Sequence, residues 1–80
     1  LSLTILDEFA ENIKTLSPAE RSVFVLYAQD HNAKEIAEIL CLSINTIKTH
    51  TKRVYTKLNV TSREELLLYV NMLNEIGNKI

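Results

Sequence analysis

"KEIAEILCLSINTIKTHTKRVYTKLNV", residues 34–60, holds two apolar periodicities separated by a break of a few residues. Before the break, Ala33, Ile36, Ala37 and Leu40 fall at i, i+3, i+4 and i+7, one face of a helix. After it, Ser43 offers an N-cap oxygen. When each residue advances about 100°, Ile44, Ile47, Thr51, Val54, Tyr55 and Leu58 gather on one side. Asn45, Lys48, Thr49, Lys52, Arg53 and Thr56 occupy most of the other, with His50 and Lys57 at its border. Asn59 tolerates positive φ and is placed to end this second helix. Two helices joined so tightly, with small Ala37 where they must approach, predict a helix-turn-helix.

Charge is distributed unevenly around this unit. Residues 1–38 carry three cations against seven acids, a net −4; residues 39–63 carry five cations and no acid; residues 64–80 carry a net −2. The chain as a whole is −1, so its total charge hides a basic segment. Lysine donates to guanine or phosphate, asparagine pairs with adenine or phosphate, and the threonine methyl fits the thymine methyl. The plainer reading of such a face is a solvated, lysine-rich surface. The preceding helix favours the nucleic-acid reading, because in a helix-turn-helix the second helix enters the major groove. An acid on that face would repel phosphate, which accounts for the lack of one.

The rest of the 80 residues also reads as helix. With one glycine (Gly77) and one proline (Pro18), tight hairpin turns are missing and apolar spacings of three and four predominate. Leu3, Leu6, Phe9, Ala10 and Ile13 share a face, and Thr4 offers a cap. In "SPAE", Ser17 is an N-cap, Pro18 the first helical residue and Glu20 the capping-box acid. Ala19, Val23, Phe24, Leu26 and Tyr27 give that helix its apolar side, and its end is expected near Gln29–Asp30. Thr61 and Ser62, each three residues before a glutamate, offer alternative starts for a last helix with Leu66, Tyr69, Val70 and Leu73 inside. The fold class is therefore all-α.

Composition removes several functions. Cys41 is the lone cysteine, so no internal disulfide or zinc spacing exists. No Gly-rich phosphate loop or Ser/His/Asp set is present, so neither catalysis nor a cofactor nor a metal is expected. No apolar run approaches the roughly 20 residues that span a bilayer. A cytoplasmic protein without membrane contact is the expectation. The chain opens on Leu1, which points to a piece of a longer protein.

"LSPAER", "KEIAEIL", "S-x-x-TIKTH" and "KLNVTSREEL", in this order and spacing within residues 16–70, resemble the C-terminal DNA-binding domain of LuxR-type (NarL/GerE) regulators. The resemblance implies a four-helix domain over 16–75. Residues 1–15 would be an additional N-terminal helix or linker, and 76–80 a tail. It implies double-stranded DNA as partner, a homodimer on DNA through the last helix, and RNA polymerase as a further contact. By position in the family motif, Lys48, Thr49 and Lys52 are the base-reading residues. Lys34, Asn45, Thr46, Arg53 and Lys57 contact phosphate, and Glu35 orients the fold. Asp30 with His31, and Asn59, stand where the family usually has glycine, and Cys41 holds a turn position that is often glycine in other helix-turn-helix proteins. His50 is left as either a pH-sensitive phosphate contact or a structural hydrogen-bonding residue. Two rivals are a sigma-factor region 4-like domain, which lacks the last helix, and a protein-interaction module that has lost DNA binding.

Overall fold

The computed structural model describes residues 3–77, and side chains from Thr4 onward. Five helices follow in order: α1 Leu3–Ile13, α2 Pro18–Ala28, α3 Ala33–Leu40, α4 Ile44–Leu58 and α5 Arg63–Glu75. The architecture is all-α, four helices containing the helix-turn-helix and one more at the N-terminus. Among the described residues no helix is long and apolar enough to cross a membrane.

Local chemistry sets the helix starts. Ser17 Oγ accepts the Glu20 N–H at 3.2 Å while Glu20 Oε1 accepts the Ser17 N–H at 2.9 Å, the capping box expected around Pro18. Asn32 and Glu35 form a second box at 2.8 and 2.9 Å, so Glu35 orients the start of α3. Ser43 caps α4. Of the two alternatives for α5, Ser62 is the N-cap, accepting from Glu65 N at 3.2 Å, and Thr61 donates instead to the Glu65 carboxylate at 3.4 Å. Thr4 does not cap α1; it lies inside the helix, which already includes Leu3.

Three helix ends share one device. A left-handed residue follows each of α2, α3 and α4: directly for Cys41 (φ 56°) and Asn59 (φ 57°), and after one intervening residue, Gln29, for Asp30 (φ 70°). Each N–H reaches back three residues, and the next N–H reaches back five, from His31 to Leu26, Leu42 to Ala37 and Val60 to Tyr55 at 3.0–3.1 Å. These are Schellman endings, which satisfy the last carbonyls. They fall on the positions where the sequence reading expects glycine, which alone reaches positive φ without steric cost.

The core runs through all five helices. Phe24, Ile36, Ile47, Leu58, Leu66 and Leu73 are fully buried, each worth about 1.5–3 kcal/mol of transfer free energy. Leu6, Phe9 and Ile13 bury the inner face of α1, and Phe9 meets Phe24 and Tyr69 edge-on at ring-centroid distances of 6.5 and 5.3 Å. Ala10 is half-buried beside them, whereas Leu3's expected place on this face lies outside the described side chains. Ala19, expected on the apolar side of α2, is exposed. It sits in the first turn, one residue before Glu20, which takes the buried position there.

Cys41 is exposed and in the left-handed region, so Cys41→Gly relieves about 1–2 kcal/mol of steric cost against glycine's greater unfolded-state entropy of about 0.5–1 kcal/mol. A net gain of roughly 0.5–1 kcal/mol is expected in urea unfolding. A loss of stability would show that the turn is not strained.

Candidate nucleic-acid interface

α4 is divided lengthwise. Ile47, Val54 and Leu58 are buried, with Thr51 and Tyr55 half-buried beside them. Ile44, expected on the same stripe, is 42% exposed; the stripe enters the core only one turn later, at Ile47. Asn45, Lys48, Thr49, Lys52, Arg53 and Thr56 are all exposed on the remaining surface. Fifteen residues at about 1.5 Å each make a rod long enough to lie in a major groove.

The hydroxyls on this rod are already committed. Thr49 donates to Asn45 O (3.1 Å), Thr51 to Ile47 O (2.8 Å) and Thr56 to Lys52 O (2.9 Å). Thr46 is half-buried and shares a 2.9 Å hydrogen bond with the Ser43 hydroxyl, placing it in the cap. The cations differ. Lys34, Lys48, Lys52 and Arg53 are exposed, and none has a side-chain hydrogen bond or ion pair among the described residues. Lys48 and Lys52 also border an open groove of about 590 Å³ that reaches Tyr27, Tyr55 and Asn59.

Of the eight residues singled out in the sequence, α4 brings Asn45, Lys48, Thr49, Lys52 and Arg53 onto one face. Lys34 stands in the first turn of α3. Lys57 is set apart: its ammonium lies 2.7 Å from Glu20 Oε1 and donates to Thr15 O at 3.3 Å. Glu20 is the one buried charged residue among those described, and the Lys57 hydrogen bond, then the Ser17 N–H, holds its carboxyl below the usual value of 4.5. His50 is half-buried, and its Nδ1 has no hydrogen-bond partner among the described residues, so a structural hydrogen bond at that atom is not formed.

Two further contacts, one of them on α4, were not legible in the sequence. Thr51 uses its one proton on Ile47 O and so accepts from the Tyr27 hydroxyl 3.1 Å away, linking α4 to α2. Burial pushes the Tyr55 phenol above its ordinary value of 10.0, with Tyr27 adding to the effect, so it stays protonated at neutral pH. Arg63 Nη2 meets Asp30 Oδ1 at 2.8 Å, joining the start of α5 to the end of α2 and neutralising the acid beside the turn.

This division of α4 into a buried stripe and a cationic face coincides with a family match. Residues 14–70 match the family model for bacterial regulatory proteins of the luxR family. The chain belongs to the luxR family. It therefore carries that family's DNA-binding domain, the output part of a transcriptional regulator. Oxygen regulatory protein NreC of Staphylococcus epidermidis is 37% identical over 60 residues, covering 75% of this chain and 28% of that protein. NreC of Staphylococcus aureus is 32% identical over 80 residues, covering 86% of this chain and 37% of the relative. The chain thus spans about a third of the length of these curated luxR-family relatives.

Because the Glu20 carboxyl is lowered in the folded luxR-type domain, its contribution to stability is complete above about pH 4.5, the unfolded value, and is lost as pH falls through the lower folded one. Thermal unfolding between pH 7 and pH 3 should show the Tm of the native chain falling below about pH 4.5. Glu20→Gln should start from a lower Tm and fall less. Parallel curves would mean that the carboxylate does not titrate against a folded partner.

Proposed function

We propose that this domain binds double-stranded DNA sequence-specifically, with α4 in the major groove. The observation that carries the reading is the row of unpaired cations on the outer face of a helix whose inner face is locked in the core. Lys48, Thr49 and Lys52 face base edges. Thr49, its hydroxyl spent on Asn45 O, offers a base chiefly its methyl group, which suits thymine. Asn45, Thr46 and Arg53 along α4, with Lys34 on α3, contact phosphate and set register.

Two copies pair through α5 on adjacent half-sites. Leu68 and Ile76 are 50% and 51% exposed and lie at i and i+8, with Met72, half-buried against the core, between them. The isolated domain is monomeric without DNA, acts in the cytoplasm, and passes its signal to RNA polymerase from the bound dimer.

In vitro selection from random duplex DNA at two salt concentrations tests this. An enriched half-site, with affinity falling steeply as salt rises, is the expected result. Salt-sensitive binding without enrichment would refute sequence reading by α4, and no binding by a folded sample would favour an interaction module. On the selected site, Lys48→Ala and Lys52→Ala should each cost about 1–3 kcal/mol, with relaxed preference at one base position. Arg53→Ala should weaken all sequences alike and lower the salt slope by about 0.9. Leu68→Glu should leave half-site binding intact and abolish cooperative filling of a paired site, read by gel shift.

A further inference from the structure

We infer that Lys57 is a positioning residue that holds the recognition helix at its working angle, and that it does not contribute a charge to the phosphate contacts. The inference rests on α4 being the DNA-reading helix. Lys57 lies in the last turn of α4 and its ammonium is bound twice. Glu20 Oε1 at 2.7 Å belongs to a side chain only 4% exposed, and Thr15 O at 3.3 Å lies in the connection between α1 and α2. Glu20 is itself fixed by the Ser17 N–H at 2.9 Å. One ammonium therefore ties the end of α4 to the start of α2 and to the segment before it.

Competition between partners decides the role. The Lys57 side chain is 38% exposed, but its charge is matched by a carboxylate with almost no access to water, and giving that charge to a phosphate means withdrawing it from Glu20. That would leave Glu20 buried and unpaired, which is strongly unfavourable. Lys48, Lys52 and Arg53 give up nothing comparable, because they hold no partner among the described residues. The counterion arithmetic then differs among cations on one helix. Each phosphate-contacting cation adds about 0.9 to the slope of log affinity against log salt, and Lys57 adds none. Loss of the tie would instead let the far end of α4 shift on α2. Sequence discrimination would suffer more than general affinity, because base contacts demand tighter geometry than phosphate contacts.

The test compares Lys57→Met, Glu20→Gln, the double variant and Arg53→Met on random-sequence duplex and on the selected site, well below each Tm and across salt. The expected result is a slope on random duplex unchanged for Lys57→Met and reduced by about 0.9 for Arg53→Met. Lys57→Met should also lower the ratio of specific to random-duplex affinity several-fold, and Lys57→Arg should restore it. In thermal unfolding, the double variant should lose less than the sum of the two single losses. A slope reduced by about 0.9 for Lys57→Met, an unchanged affinity ratio, or additive Tm losses would each overturn the inference. An unchanged slope for Arg53→Met would instead overturn the placement of α4 on DNA.

Discussion

Ile47, Val54 and Leu58 must be buried on one side of α4 while Lys48, Lys52 and Arg53 stay wet on the other, and the remaining helices are arranged around that demand. A helix turns about 100° per residue, so the two sets cannot be rotated independently. Fixing the apolar stripe aims the cations. Removing one buried aliphatic side chain from such a stripe typically costs about 2–5 kcal/mol, a large share of a small domain's stability. The core therefore holds the orientation of the basic face as firmly as it holds the fold.

Polar contacts refine what the stripe sets coarsely. The Tyr27–Thr51 hydrogen bond holds the middle of α4 against α2, and the Ser43 cap closes its beginning. Thr49 and Thr56 return their hydroxyl protons to the carbonyl one turn back, so neither needs water or DNA to satisfy its donor. The presented surface is consequently cations, one amide and methyl groups, which differs from a generic hydrophilic face. The mostly acidic surface of α1 and the start of α5 keeps positive charge confined to this region.

What could be read from the sequence was local. Ser17, Pro18 and Glu20 announce the start of α2 because a capping box spans four residues, and the stripe of α4 repeats within two turns. The luxR-type resemblance over 16–70 agrees with the family match over 14–70. What escaped was set by pairs far apart in the chain. Glu20 and Lys57 are separated by 37 residues, and Asp30 and Arg63 by 33, and no periodicity joins them. The angle of Ile44 on the helix predicts burial, but angle says nothing of how far along its axis a helix meets its neighbours, and Ile44 is exposed. The DNA-contact roles proposed for Lys34, Asn45, Lys48, Thr49 and Lys52 rest on their position in the family motif. The structure adds that they are exposed, and for the lysines unpartnered.

The packing of α1 bears on where the domain begins. The family match starts at residue 14, yet Phe9 is only 2% exposed and fills the space between Phe24 and Tyr69. A chain trimmed to the family boundaries would lose Leu6, Phe9 and Ile13 at one end and Leu73 at the other, opening an aromatic cleft to water. Such a fragment would be sticky at concentrations where the longer chain stays dispersed. The buried core of this molecule reaches one helix beyond the stretch that shared ancestry marks out.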